Sequence, residues 1–144
     1  MAKTHFKFCH RLRVRWAETD PQGIVFNGHY LTYCDVAITE YWRAIGYPYP
    51  STIERLGVDL FVVKSTLEYR SPARYDDEID VYVRTGRIGN SSMQMLVKMY
   101  RGEEHLVSGE IIYVSANAET RKPQTVPEEL RKAIGALEDS PAHP

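Results

Sequence analysis

Tyr30, Tyr33, Cys34, Ala37, Ile38, Tyr41, Trp42 and Ile45 recur at i, i+3, i+4, i+7, i+8, i+11, i+12 and i+15, the spacing of one face of an α-helix. A helix could begin at Asn27-Gly28. The spacing predicts roughly four turns at 3.6 residues per turn, closed by Gly46, with Pro48 beyond to prevent continuation. One helix cannot bury so wide an aromatic and aliphatic face by itself. The rest of the chain must supply a surface to lay it against.

That surface reads as a sheet. From Phe6 to Trp16 the apolar residues fall mostly on even positions (Phe6, Phe8, Leu12, Val14, Trp16), with Lys7, Arg11, Arg13 and Arg15 between them, which predicts a first strand. Val58 to Tyr69 is nearly continuous in apolar and β-branched residues, as expected of a central strand covered on both faces. Ile79, Val81 and Val83 alternate with polar neighbours, as do Met93, Met95, Val97 and Met99, and Gly89-Asn90-Ser91-Ser92 joins the two runs as a hairpin. A turn at Arg101-Gly102-Glu103-Glu104 leads to a last strand from about His105 to Ala116. Pro127 to Leu137 predicts a short terminal helix with Pro in its first turn, and Ser140 to Pro144 a frayed end. The fold class is therefore α+β: one strand, one long helix, then mainly antiparallel strands.

The 144 residues suit a single domain, residues 1–144, with a core over about 6–118 and the C-terminal helix over about 127–137. Hydrophobic residues make up 43% and charged residues 26%, a globular composition. A net charge of −1 gives no general attraction to nucleic acid or to an anionic membrane. The N-terminus runs into a strand pattern without the apolar core of a signal peptide, and no stretch reaches the length of a membrane span. Cys9 and Cys34 form no CxxC pair or zinc-binding spacing, which fits a reducing compartment and, by default, the cytoplasm.

Several chemistries are excluded by their missing motifs. The chain has no G-x-S-x-G elbow, no phosphate loop of the G-x-x-x-x-G-K-[ST] type, no G-x-G-x-x-G after a strand and no H-E-x-x-H. What remains is the segment from Trp16 to Leu31, which joins an acidic loop to the start of the long helix. A helix N-terminus presents unpaired N–H groups and partial positive charge, able to stabilise a developing oxyanion. Asp20 lies just upstream. If the loop folds back, amides near Asn27 and Gly28 would polarise a thioester carbonyl while Asp20 attacks it or activates a water. Taken alone, an Asp before Pro with Gly nearby is an ordinary turn residue.

The run Val14-Arg15-Trp16-Ala17-Glu18-Thr19-Asp20-Pro21-Gln22-Gly23-Ile24-Val25-Phe26, followed by Tyr30-Leu31 and the helix, resembles the signature of the 4-hydroxybenzoyl-CoA thioesterase branch of hotdog-fold acyl-CoA thioesterases. Ser71-Pro72-Ala73-Arg74-Tyr75-Asp76-Asp77-Glu78-Ile79 resembles the same family's loop before its third strand. The resemblance implies a curled antiparallel sheet wrapped around one long central helix. It further implies subunits paired through their sheets into a homodimer and then a homotetramer, with acyl-CoA at the subunit interface. Asp20 matches the family's catalytic aspartate, and the amides around Asn27 and Gly28 match its carbonyl-polarising site. CoA is then part of the substrate, and no metal or redox cofactor is implied.

One departure bears on mechanism: a subgroup of the family carries His seven residues after the Asp, where this chain has Asn27, with His29 two positions later. His29 is a substrate-contact candidate of lower rank, and Tyr30 could line an acyl pocket. Glu18 either shifts the titration of Asp20 or pairs with Arg15. Cys34 falls on the helix stripe and reads as core. Arg70, Arg74 and Arg87, with Arg84 and Arg101, stand at strand ends and loops from which guanidinium groups could hold the phosphates of CoA. Two other readings differ in class: a non-catalytic module that binds acyl-CoA or fatty acyl groups, and a hotdog hydratase or dehydratase, which the missing His argues against.

Overall fold

Helix α1 (His29–Ala44) buries Tyr30, Tyr33, Cys34, Ala37, Ile38, Tyr41 and Trp42, the residues of the helical stripe. It ends where Gly46, at φ +88°, donates from N–H to the Arg43 carbonyl while the Tyr47 N–H reaches back to Trp42 at 2.9 Å, satisfying two of the last carbonyls. The computed structural model describes residues 2–139, so the expected fraying of Ser140–Pro144 lies outside the described residues.

The other elements are β1 (Phe8–Arg13), α2 (Ser51–Arg55), β2 (Val58–Tyr69), β3 (Glu78–Ile88), β4 (Ser92–Arg101), β5 (Glu104–Asn117) and α3 (Glu128–Glu138). The five strands form one sheet in the order β1-β3-β4-β5-β2, with every neighbouring pair antiparallel. Ile79, Val81 and Val83 of β3, Met93, Met95, Val97 and Met99 of β4, and Ile111 and Tyr113 of β5 share one buried cluster with the α1 stripe. Burying each such side chain stabilises the fold by roughly 1.5–3 kcal/mol. Gly109 of β5 leaves room for the side chain of its cross-strand partner on β2: a Cβ there would stand 2.9 Å from Leu67 Cδ2, while Cys34 Sγ of α1, at 3.6 Å, would be in ordinary contact. The α+β class is thus as the alternation predicts.

Three features differ from the sequence reading. The first strand is shorter than Phe6–Trp16: after Arg13 the chain leaves the ladder, Val14 remains buried, and Trp16 opens a 3-10 turn (Trp16–Glu18) with its indole 73% exposed. Second, β2 is an edge strand and not a central one, with Val62 and Val63 more than half exposed. A continuous apolar run can serve an edge that meets another surface as readily as a strand covered within its own chain. Third, α2 carried no periodicity long enough to announce it. Its five residues are held by one buried side chain, Ile53.

Candidate active site

The Asp20 loop is a closed ring of hydrogen bonds. Asp20 Oδ1 accepts the Gln22 N–H at 2.8 Å, the Asp20 N–H donates to Ile24 O at 2.9 Å, and the Gly23 N–H returns to Asp20 O at 2.8 Å. Thr19 pairs with Val25, and the Phe26 N–H donates to Glu18 O at 2.9 Å. Asp20 is therefore a turn residue, as its neighbours Pro21 and Gly23 suggest. Asp20 is also one of the residues that line a cleft.

The cleft, of about 370 Å³, has three walls. Asp20, Gln22, Ile24 and Val25 come from the loop, Asn27 and Tyr30 from the start of α1, and Tyr69 to Pro72 from the end of β2 and the segment after it. The Val25 N–H donates to Ala73 O at 2.8 Å, and the Ala73 N–H donates to Tyr30 Oη at 3.0 Å, which fixes the third wall to the other two. At the helix start the His29 N–H bonds Phe26 O and the Tyr30 N–H bonds Asn27 O. Among the described residues, the N–H groups of Asn27 and Gly28 meet no protein acceptor. Such unpaired amides at a helix N-terminus favour negative charge.

Behind the cleft lies a buried carboxylate. Glu18 is 8% exposed; its Oε1 accepts the Arg15 N–H at 2.8 Å and the Tyr33 hydroxyl at 2.7 Å, and its Oε2 accepts the Arg15 guanidinium at 2.6 Å. Burial alone would raise its titration, but these donors outweigh burial and hold the carboxyl below the usual range. Burial, then the Glu18 carboxylate, push the Tyr33 phenol well above its ordinary value, so it stays a donor. Burial likewise raises Tyr30.

A family model described as the thioesterase-like superfamily matches residues 14–134, most of the chain. The chain belongs to that superfamily. A putative esterase of Aquifex aeolicus is 37% identical over 76 residues, 53% of this chain and 59% of that protein, so the match spans little more than half of that relative. The acyl-CoA thioester hydrolase YbgC of Escherichia coli is 27% identical over 122 residues, 83% of this chain and 89% of its own length. A Thermus thermophilus thioesterase solved with coenzyme A and Zn superposes with a TM-score of 0.81 at 31% identity, covering 95% of this chain and 98% of that one. The five-stranded antiparallel sheet with few helices is an α+β hotdog fold.

In this thioesterase-like chain the sequence candidates fall into two groups. Asp20, Asn27, Tyr30 and Arg70 line the cleft together. Gly28 stands at the helix start beside them, and His29 is half-buried with its ring 5.9 Å from that of Phe26, away from the cleft lining. Arg74 is exposed on the loop that follows Pro72, four residues beyond Arg70. Arg87 lies near the far end of β3, about 30 Å along the strand from Glu78 at 3.3 Å per residue. Arg101 is engaged by Asp77 and Glu104. Tyr69, Gln22 and Pro72 were not singled out from sequence. Tyr69 closes the apolar run of β2 immediately before Arg70-Ser71-Pro72, and that junction was the available cue.

Proposed function

We propose that this chain hydrolyses acyl-CoA thioesters in the cleft between the Asp20 loop and the N-terminus of α1. The observation that carries the reading is that Asp20 and Asn27 line one cleft at the start of α1, where the N–H groups of Asn27 and Gly28, just before the first helical residue, meet no protein acceptor. Asp20 Oδ1 is held by Gln22, which leaves Oδ2 to act. With the thioester carbonyl oxygen on the Asn27 and Gly28 amides, the carbon faces the carboxylate. If Asp20 attacks, the C–S bond breaks to release CoA thiolate and leaves a mixed anhydride on Asp20, which a water then hydrolyses to the free acid. If Asp20 instead takes a proton from the attacking water, the tetrahedral intermediate collapses to CoA thiolate and the acid, and the proton on Asp20 passes to the thiolate. The catalytic work is a carboxylate with backbone donors, without a histidine partner.

The names of the relatives support the substrate class: YbgC of E. coli is an acyl-CoA thioester hydrolase, and the Thermus thioesterase was solved with coenzyme A. Arg70 at the mouth and Arg74 beyond it are the cations placed to meet CoA phosphates. A homodimer formed along β2, pairing further to a tetramer, is supported by the exposed Val62 and Val63 on that edge. Two cysteines outside any disulfide suit a cytoplasmic setting. Among the described residues no helix is long and apolar enough to cross a membrane.

The deciding experiment is thiol release from a panel of aromatic, short-chain and medium-chain acyl-CoA substrates, with Asp20→Asn alongside. The wild type should turn over at least one class, and D20N should lose about 10²–10⁴ in kcat with its fold intact. A D20N enzyme at wild-type rate removes Asp20 from the chemistry.

A further inference from the structure

Glu18 does more than cap the 3-10 turn it closes. A cap needs only the Arg15 N–H, yet Glu18 Oε1 also accepts a bond from Tyr33, fifteen residues on and one turn inside α1. Tyr33 is 1% exposed within the apolar core, where a hydroxyl carries a desolvation cost unless it is bonded. Both partners of this bond are thus buried polar groups that satisfy each other across two different elements.

The two elements are the two halves of the active site. On one side, the Phe26 N–H to Glu18 O bond, the Thr19–Val25 pair and the Asp20 N–H to Ile24 O bond make residues 18–26 one tied unit, so displacement of Glu18 carries Asp20 with it. On the other, Tyr33 packs edge-on against Tyr30 with ring centroids 5.8 Å apart. It lies about 9 Å along the axis from Asn27 at 1.5 Å per residue. We propose that Glu18 and Tyr33 are positioning residues whose hydrogen bond sets the distance between the Asp20 carboxylate and the amides at the start of α1. The proposal rests on the reading that Asp20 is the catalytic carboxylate.

The consequence is specific, because misplacing a reacting group by about 1 Å costs about 10²-fold in rate without removing any contact to substrate. Tyr33→Phe deletes only the hydroxyl. It should lower kcat by about 10- to 100-fold while KM for the best acyl-CoA of the panel stays within about twofold. Glu18→Gln keeps an acceptor oxygen for Tyr33 while the exposed Arg15 guanidinium can turn outward, so kcat should remain within about threefold of wild type. Glu18→Ala leaves the Tyr33 ring packed and should match Tyr33→Phe, which keeps the test available if the latter does not fold.

The measurement is steady-state kcat and KM on folded protein well below each variant's Tm, with Asp20→Asn in parallel. A fall in Tm with unchanged kcat in both Y33F and E18A overturns the positioning role, as does an E18Q enzyme as slow as Y33F. An active D20N overturns the underlying assignment instead, and the two failures are separately visible.

Discussion

The Tyr41 hydroxyl donates to Glu138 Oε2 at 2.6 Å, and the same oxygen accepts the Thr85 N–H at 2.9 Å, so α1, β3 and the last turn of α3 meet at one carboxylate. The C-terminal helix is therefore fastened to the core helix through a polar bond as well as through Leu130 and Ile134. Tyr41→Phe would leave Glu138 and Thr85 short of a partner, at a cost of about 1–3 kcal/mol. Urea unfolding should show that loss with kcat unchanged under folding conditions, because the contact is remote from the cleft.

The polarising role proposed for the helix start is one for the backbone amides, and side-chain and backbone substitutions at Asn27 separate the two. Asn27→Ala keeps the amide and should keep kcat within a few fold, whereas Asn27→Pro removes the N–H and should cost about 10²–10³. Far-UV circular dichroism of the Pro variant checks that α1 persists. Equal losses in both variants would place the effect on the Asn side chain.

Glu18 titrates below an ordinary glutamate because its hydrogen bonds outweigh burial. A depressed folded value stabilises the protein fully above the unfolded value of about 4.3 and is lost as pH falls through the folded value. The stability advantage of wild type over Glu18→Gln should hold from pH 7 to about pH 5 and shrink below about 4.3. Urea midpoints of the two proteins across that range test it.

Burial pushes the Cys34 thiol up to about 12, while Cys9 stands exposed on β1. In the native protein at pH 8 Cys34 should react slowly with a disulfide reagent, and Cys9 should account for the fast fraction. In denaturant both should react at the pace of a thiol of pKa about 8.5. Counting thiols that react before and after unfolding checks it, with one reacting fast in the native protein and two in denaturant.

Lysine at Val62 and Val63 places charge on the exposed edge of β2. Light scattering should report a multiple of the monomer mass for wild type and the monomer for the double variant, with hydrolysis falling in step if the acyl group sits between subunits. A monomeric wild type would remove the interface from the mechanism.

The sequence was most readable where one chain's own core dictates the pattern. The α1 stripe and the alternation of β3 and β4 answer to partners within the chain, so periodicity named their faces before any coordinates. It failed for β2, whose apolar run lies on an edge strand with Val62 and Val63 exposed, and for Trp16, which local hydrogen bonding by Glu18 turns out of the strand. The site was half legible. Asp20 and Asn27 share a short segment with a recognisable pattern, while Tyr69 and Pro72 arrive from the end of β2 and the segment after it, some forty residues away, and join through the Ala73 contacts and the packing of the Tyr69 ring on Tyr30. Glu18 and Tyr33 were each visible, but nothing in their spacing announced that they bond.

The Gln22 N–H occupies Oδ1 of Asp20, so the proposed chemistry falls to Oδ2. With that one oxygen as the reacting atom, the reactive group is the same for every acyl group offered to it. Discrimination among acyl groups would then rest on the walls contributed by Ile24, Val25, Tyr30 and Pro72. Substitutions in those walls can change which acid is released while the reacting oxygen stays the same.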